Sequence, residues 1–358
     1  MKIRRFIVVN NTKREKWLDI AKGIGIILIL IDHSQNFLSD YVSWFHIAIF
    51  FVVSGYLFKP IDSIDNLKNW IKRRTIVLLV PYLSFLLAIT IYRYVIEILK
   101  ENYNIAWFIK DFIAKVYGGQ YLTGDYAPFW FITCLLGTQI IFGIIHTLIK
   151  SKKIQIAIIL FFYILAHVES MLVHNKGVMF YAPLATDVIL ITIAYYAFGF
   201  YFKKLLTNIP MYIQIFSLAL SIVFIVLQAN KILSFQFELK YVEYSNIILD
   251  FIVPISFTVL FLGISQAIIK SKFTSSILST LGMASLTIMY LHFPINLFID
   301  KFITYSSVFF ILIGLIVPLA LENLVIQRNL VLRFLFLGKV NGKRLTNAND
   351  KNQAKPIN

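Results

Sequence analysis

The chain has 358 residues, 59% of them hydrophobic, and a mean hydropathy of +0.76. Because soluble domains contain roughly 45–50% apolar residues, this composition excludes an ordinary soluble protein and predicts an all-α, polytopic integral membrane protein. The formal net charge of +16 would suggest nucleic-acid binding in a soluble chain, but a membrane protein can collect Lys and Arg in cytoplasmic loops. The single cysteine, Cys134, excludes an intramolecular disulfide and is predicted to be a small apolar residue inside a helix.

Ionisable side chains interrupt the first apolar stretch, residues 17–34. Charged groups inside a membrane are costly, so Asp19, Lys22 and His33 are functional candidates. Eleven residues separate Lys22 from His33. At about 100° and 1.5 Å per residue, both project from one helix face, roughly 16 Å apart along the axis, and Asp19 lies about 40° from that face. The structural alternatives are that Lys22 snorkels to lipid head groups, that Asp19 pairs with it, and that His33 is a polar packing residue.

Ten apolar segments are predicted to cross the bilayer. They lie at 20–38, 43–58, 75–99, 128–149, 153–168, 186–202, 211–229, 247–269, 282–299 and 303–324. The N-terminus, the tail and alternate loops together hold 25 of the 34 Lys and Arg residues. Cytoplasmic segments carry such an excess, so both termini are predicted to be cytoplasmic, and the charge requires no nucleic-acid partner.

The longest segment on the opposite side contains Trp107–Tyr117, whose apolar positions recur at helical spacing. It predicts an interfacial helix, and the loops 169–185 and 230–246 are expected to complete a modest outer surface. The domain prediction has three parts: a basic cytoplasmic N-terminus at 1–17, a transmembrane domain at 18–326, and a basic, disordered cytoplasmic tail at 327–358.

Two histidines are predicted to be neighbours in the outer half of the membrane. His33 is placed about five residues, roughly 8 Å, below the end of the first span, and His46 about three residues, roughly 5 Å, inside the second. An imidazole can take a proton from a sugar hydroxyl and return it. The pair therefore predicts acyl transfer to an external hydroxyl with His33 as the base.

Polar residues in later spans give weaker predictions. His292 and Asn296 share a helix face around Pro294 and are expected to line the same cavity. Arg93 and Glu97 are predicted to form a structural pair by the same spacing. Three side chains near span ends are predicted to be solvated: His146, Asp250 and Glu322.

A basic cluster, Lys72-Arg73-Arg74, lies at the inner end of the third span. With Lys22 it predicts a cytoplasmic anion site for a phosphorylated donor. The alternative is that membrane topology alone requires these charges. Metal-ligand spacings and glycine loops for phosphate are absent from the sequence, so no metal is predicted.

The stretch from Asp19 to His33 resembles the opening motif of the acyltransferase-3 family, especially its fucose 4-O-acetylase-like branch. Four further segments resemble the second, third and fourth spans and a late motif of that family, in the family order. They are Phe45–Phe58, Arg73–Tyr82, Phe129–Phe131 and Ser285–Ile295.

This resemblance implies a ten-helix enzyme of the bacterial cytoplasmic membrane. Such an enzyme takes acetyl from cytoplasmic acetyl-CoA and esterifies a hydroxyl of a surface polysaccharide or its lipid-linked sugar precursor. The motif match implies His33 as the catalytic histidine and Arg73 and Arg74 as donor-binding residues, with Lys22 at a position where many members carry arginine. Together with the helix geometry, the predicted catalytic residues are His33, Lys22 and Asp19, the donor-binding residues are Lys22, Arg73 and Arg74, and the acceptor-site residues are Asp32, His46, Trp130 and His292.

Three positions depart from the family pattern. Asp32 replaces a glycine before the histidine, Ala48 replaces a proline, and the third-span arginine nearest Pro81 is absent. Asp32 is expected to alter the basicity of His33 or its contact with the acceptor. The missing arginine weakens the expected anchoring of the donor.

A transporter or flippase for a polyol, an organic anion or a lipid-linked sugar is the alternative, because polar groups on broken helices also serve transport. The sequence shows no pair of internal repeats, which favours the enzyme. The predicted partners are acetyl-CoA, the glycan or lipid-linked sugar acceptor, and membrane lipid.

Overall fold

A computed structural model describes residues 15–101, 104–176 and 181–339. Within these residues the chain forms helices joined by short turns, with one two-stranded antiparallel hairpin. The α-helices are α1 Lys16–His33, α2 Ser39–Val42, α3 Ala48–Tyr56, α4 Ile64–Leu99, α5 Ile105–Tyr117, α6 Trp130–Leu148, α7 Lys152–Lys176, α8 Ile189–Tyr201, α9 Lys203–Thr207, α10 Met211–Ala229, α11 Leu249–Ile268, α12 Lys272–Met283, α13 Ser285–Ile299, α14 Ser307–Leu324 and α15 Leu330–Leu337. The strands are β1 Phe237–Glu238 and β2 Glu243–Tyr244, and Phe237 faces Tyr244 in their register.

Seven of the described helices are long and apolar enough to cross a membrane, and the bent pair α12 and α13 adds an eighth if it counts as one span. The all-α membrane architecture is confirmed, but the predicted count of ten is not. The predicted second span is helical only over the nine residues of α3, about 14 Å, whereas the hydrocarbon core is about 30 Å thick. The first predicted span ends early, at His33.

Helix α1 packs along α12 and also contacts α3, α11, α13 and α14, so it lies inside the bundle. Glycine permits the close approach to α12. A Cβ on Gly23 would collide with the backbone carbonyl of Leu278, and one on Gly282 with the carbonyl of Asp19. The Gly23 and Gly282 positions therefore fix how deeply α1, with its ionisable side chains, is set among the other helices.

Helix α5 confirms the helix predicted over Trp107–Tyr117 and begins two residues earlier, where the Asn104 side chain accepts a hydrogen bond from Trp107 N. Ile109, Phe112 and Ile113 are exposed on one face, while Lys115 is buried on the other and donates to Asp111. An apolar outer face of this kind suits a lipid surface. It supports the predicted position of α5 at the membrane interface, which stays a prediction.

The C-terminal segment differs from the disordered tail predicted over 327–358. Residues Leu330–Leu337 form α15, which packs on α4, and the rings of Phe85 and Phe336 lie 4.8 Å apart. The sequence Leu-Val-Leu-Arg-Phe-Leu-Phe-Leu is apolar enough to be stabilised by this contact. The rest of the predicted tail, 340–358, and most of the predicted N-terminal segment, 1–14, lie outside the described residues.

Several buried polar groups correct the prediction of solvated side chains near span ends. Asp250 is fully buried, and its Oδ2 lies 2.9 Å from His167 Nε2. Glu322 is buried and accepts hydrogen bonds from Thr287 and Gln327. His146 is half-buried among the rings of Phe58, Phe142 and Phe200. Cys134 is buried in α6, as predicted.

Candidate active site

His33 is the last residue of α1, and its imidazole contacts an imidazole from the other end of the chain. The Nδ1 atom of His33 lies 2.8 Å from Nε2 of His292 on α13. The helix stops at His33 because the side chains of Ser34, Asn36 and Ser39 all donate to the carbonyl of Ile31. The predicted depth of five residues inside a longer span is therefore wrong, since His33 stands where α1 meets a turn.

The hydrogen bonds define which nitrogen of each neutral ring carries the proton. His292 Nδ1 lies 2.9 Å from the carbonyl of Ile288, which can only accept, so His292 Nδ1 is the protonated nitrogen. His292 Nε2 is then an acceptor, and His33 Nδ1 must donate to it. The remaining nitrogen, His33 Nε2, keeps a free lone pair.

His46 presents a second free nitrogen at the same place. Its Nδ1 lies 2.9 Å from the carbonyl of Val42 and donates to it, which leaves Nε2 of the neutral ring as an acceptor. Asp32 Oδ2 lies 3.8 Å from His33 Nε2 and 3.7 Å from His46 Nε2. Three hydrogen-bond acceptors thus face one another with no donor between them. Their separations leave room for a hydroxyl group or a water that donates to one of them. The predicted proximity of His33 and His46 is what the structure shows, although His46 lies in a turn before α3.

Asn296 supports His292 instead of lining the cavity as a second reactive group. Its Nδ2 donates to the carbonyl of His292 at 2.8 Å, and Tyr305 donates to its Oδ1 at 2.8 Å. Both His292 and Asn296 are buried, as expected for one face of α13. Pro294 lies inside α13 between them, so one backbone donor of this helix is missing.

The hairpin contributes two charged residues that sequence reasoning missed. Lys240 is buried in the loop between β1 and β2, donates to the carbonyl of Leu122 at 2.7 Å, and acts electrostatically on His33. Burial lowers the pKa of Lys240 to about 8. Glu238 keeps a solvent-exposed edge, but desolvation, followed by the negative charges of Glu243 and Asp32, raises its pKa to about 7.

A signal for this hairpin was present in the sequence. Phe235, Phe237 and Leu239 alternate with polar residues and are all buried, the period-two pattern of a strand. The stretch is only five residues long and lies in a loop between predicted helices. Nothing local to it indicates that it folds next to His33.

Lys22 and Asp19 lie at the opposite end of α1. Lys22 Nζ forms an ion pair with Asp19 Oδ1 at 2.8 Å, and the Lys22 side chain is 27% exposed. The helix between Lys22 and His33 is unbroken, so the predicted separation of about 16 Å is retained. The structural pairing considered for Asp19 is therefore present, and it leaves Lys22 partly accessible.

Arg73 and Arg74 are the tenth and eleventh residues of α4. Tyr56, which ends α3, donates at 2.8 Å to Glu15 beside the start of α1, and α4 begins eight residues after Tyr56. Arg74 is half-buried with its guanidinium 5.7 Å from the ring centre of Trp70, whereas Arg73 is exposed. The start of α4 thus follows closely on the end of α3 that contacts the start of α1, and the shared donor site of Lys22, Arg73 and Arg74 stays a prediction.

Trp130 begins α6 and is buried. Its described contacts are with Phe131, at a ring distance of 6.4 Å, and with Thr133, whose hydroxyl donates to the Trp130 carbonyl. Neither of these two contacts involves a histidine, so the acceptor-site role of Trp130 stays a prediction. In the described part of the chain, no three His, Cys, Asp or Glu side chains form a group that could hold a metal ion.

Comparison with known proteins identifies the family of this chain. The family model described as an acyltransferase domain matches residues 15–322, well over half of the chain. No curated protein and no solved structure matches the sequence. The matched region runs from the residue before α1 into α14 and so contains His33, Asp32, His46 and His292. The chain belongs to the acyltransferase-3 family and is a multi-pass membrane acyltransferase.

Proposed function

We propose that this acyltransferase moves acetyl from cytoplasmic acetyl-CoA to a sugar hydroxyl, with His33 as the general base. The acceptor is a surface polysaccharide or its lipid-linked precursor at a bacterial cytoplasmic membrane, in keeping with the fucose 4-O-acetylase-like motif. The observation that carries the proposal is the set of three acceptor atoms, His33 Nε2, His46 Nε2 and Asp32 Oδ2, gathered without a hydrogen-bond donor among them. A hydroxyl group supplies that donor.

The reaction follows from the free lone pair on His33. Nε2 takes the hydroxyl proton while the sugar oxygen attacks the thioester carbonyl of acetyl-CoA. The C–S bond then breaks, the new ester C–O bond remains, and the imidazolium returns the proton to the departing thiolate. His292 accepts from His33 Nδ1 throughout, so it keeps Nε2 directed toward the hydroxyl.

Asp32 and His46 are the proposed acceptor-binding groups beside the base. A second hydroxyl of the sugar can donate to Asp32 Oδ2 or to His46 Nε2. Asp32 Oδ2 lies 3.8 Å from His33 Nε2 and 3.7 Å from His46 Nε2. The carboxylate also stabilises the imidazolium that forms on His33. Trp130 stays a prediction for this site, since its contacts are those of a packed residue.

Lys22, Arg73 and Arg74 are the proposed donor-binding residues on the cytoplasmic side. Partly exposed cations suit the phosphates of coenzyme A, and Asp19 orients the Lys22 ammonium by its ion pair. The distance of about 16 Å between Lys22 and His33 can be covered in large part by an extended pantetheine arm. The donor therefore reaches the base from the face opposite to the acceptor.

The test is acetyl transfer in membranes that contain wild-type protein, His33→Ala or His174→Ala. His174 is an exposed histidine on α7 and serves as the matched control. With radiolabelled acetyl-CoA, we expect His33→Ala to lower transfer to glycan about a hundredfold or more, the usual contribution of a general base. His174→Ala should retain full transfer.

Two outcomes would contradict the proposal. Full glycan acetylation by correctly inserted His33→Ala would exclude His33 as the base. Uptake of a sugar or lipid-linked sugar without any covalent acetyl product would favour the transporter alternative.

A further inference from the structure

An apolar groove runs along the outside of the bundle between α4, α13, α14 and α15. It encloses about 1040 Å³ of empty space, including its open side. Its walls include Phe85, Ile89, Leu291, Ile295, Leu332 and Phe336. The groove is separate from the candidate active site, because Pro294 in its wall lies two residues, about 200° of helix rotation, beyond the inward-facing His292.

The groove ends in a charged recess. This recess has an empty volume of about 360 Å³ and contains Arg93, Glu97, Asp125 and Lys301. Tyr92, Pro294 and Phe298 line both spaces, so the apolar groove and the charged recess are continuous. A continuous apolar and charged surface matches an amphipathic ligand, not a purely polar one.

Three of the four charges in the recess have partners. Arg93 lies 3.5 Å from Asp125 and 3.7 Å from Asp111, and Glu97 lies 3.3 Å from Lys100. Lys301 is exposed and, among the described residues, has no hydrogen bond or ion pair, although it acts electrostatically on Asp125. Within the described part of the chain, the recess thus offers a ligand from the groove one cation that has no ion-pair or hydrogen-bond partner.

We propose that this surface binds one membrane glycerophospholipid, with an acyl chain in the groove and its phosphate on Lys301. The groove follows α4 from Phe85 to Tyr92, a rise of about 10 Å, and one leaflet of hydrocarbon is about 15 Å deep. An acyl chain has that length, whereas a polyprenyl carrier is several times longer than the groove. The phosphate of the lipid supplies an anionic partner for the Lys301 ammonium group.

The test uses the full chain, purified in detergent and depleted of lipid, and measures retained lipid by native mass spectrometry. The probes are dioleoyl phosphatidylglycerol, dioleoylglycerol without the phosphate, and undecaprenyl phosphate. The variants are Lys301→Ala at the recess and Ala88→Phe, which fills the groove. Leu87→Phe is the matched control, because Leu87 is exposed on α4 outside the groove.

We expect one phosphatidylglycerol on the wild-type protein and about fivefold weaker binding to Lys301→Ala, the effect of losing one basic contact with a lipid head group. Ala88→Phe should also weaken binding, while Leu87→Phe should not. Dioleoylglycerol should bind weakly and equally to the wild type and Lys301→Ala. Melting temperatures and size-exclusion profiles identify any variant that fails to fold.

The proposal is overturned if folded Lys301→Ala and Ala88→Phe retain phosphatidylglycerol like the wild type. Tighter binding of undecaprenyl phosphate than of phosphatidylglycerol would overturn the identity of the lipid. Equal binding of dioleoylglycerol and phosphatidylglycerol would overturn the role of the phosphate.

Discussion

His292 holds His33 by a neutral hydrogen bond, so we expect it to affect the proposed reaction by positioning the His33 imidazole. His292→Ala removes the acceptor for His33 Nδ1–H and frees the imidazole to rotate or change tautomer. We expect kcat to fall about 10- to 100-fold, as for other supporting partners of reactive histidines, with a smaller change in KM for acetyl-CoA. The measurement is steady-state acetyl transfer with a defined acceptor.

The conservative variant His292→Gln separates position from folding. Its side-chain oxygen can still accept from His33 Nδ1, so it should recover part of the lost kcat. If His292→Ala and His292→Gln lose activity equally while their melting temperatures stay at the wild-type value, the positioning role is excluded.

At the level of single residues, the sequence predicted that His33 and His46 are neighbours, but not which groups hold their imidazoles in place. Helical spacing and the short connection between the first two spans placed His33 near His46, and both lie within 4 Å of Asp32. The link to His292 depends on contacts between residues 259 positions apart, which local patterns do not contain. Asp250 was expected in solvent for the same reason, since its partner His167 is on a different helix.

Among the helices, the contact of α1 with α12 controls the position of both ends of the proposed site. Gly282→Ala places a methyl group against the carbonyl of Asp19, in a contact with no room for it. We expect destabilisation of about 1–3 kcal/mol, the usual cost of overpacking, seen as a lower melting temperature in detergent. Ser276→Ala, at an exposed position of the same helix, is the control. An unchanged melting temperature for Gly282→Ala would show that the helices separate at little cost.

The β1–β2 hairpin should give the protein a pH-dependent stability through Glu238. Its pKa is raised from 4.5 to about 7, so between these values the folded state binds a proton that the unfolded state has lost. The contribution of Glu238 to stability therefore falls as pH rises from about 4.5 to about 7 and is constant above that range. The Glu238→Gln variant has no carboxyl at this position, so it should not show this fall in stability.

The measurement is the difference in melting temperature between Glu238→Gln and the wild type across this pH range. The melting temperature of Glu238→Gln should rise relative to that of the wild type as pH increases to about 7, and the difference should then stay constant. Asp300→Asn, at an exposed carboxyl after α13, controls for the general effect of removing a negative charge. A difference independent of pH would contradict the raised pKa of Glu238.

Hydropathy predicted the long helices because burial in lipid requires long apolar runs, and α4, α7, α10 and α14 follow that rule. It failed for shorter elements whose stability comes from packing. α3 is shorter than a span, α15 is an ordered helix where a disordered tail was expected, and the hairpin was not predicted. α5 was predicted correctly, since its helical periodicity is strong within a single segment.

For the whole molecule, the distribution of basic residues predicts that both termini are cytoplasmic. Single cysteines introduced as Asn230→Cys and Lys270→Cys lie on the two sides of α11. A membrane-impermeant maleimide should label Asn230→Cys in intact cells. It should label Lys270→Cys only after the cells are permeabilised. Cys134 is fully buried and should add little background. Labelling of Lys270→Cys in intact cells would reverse the orientation and place the proposed donor site outside.

The contact between His33 and His292 has a consequence for how the protein is made. The ribosome must add 259 residues after His33 before His292 exists, which takes roughly 13–50 s at 5–20 residues per second. During that interval α1 lacks its α12 and α13 partners, and His33 Nδ1 lacks its acceptor. Nascent chains released before α13 is complete lack both this acceptor and the α13 contacts of α1, so we expect them to lose at least as much activity as His292→Ala, even when every residue from Asp19 to His46 has been translated.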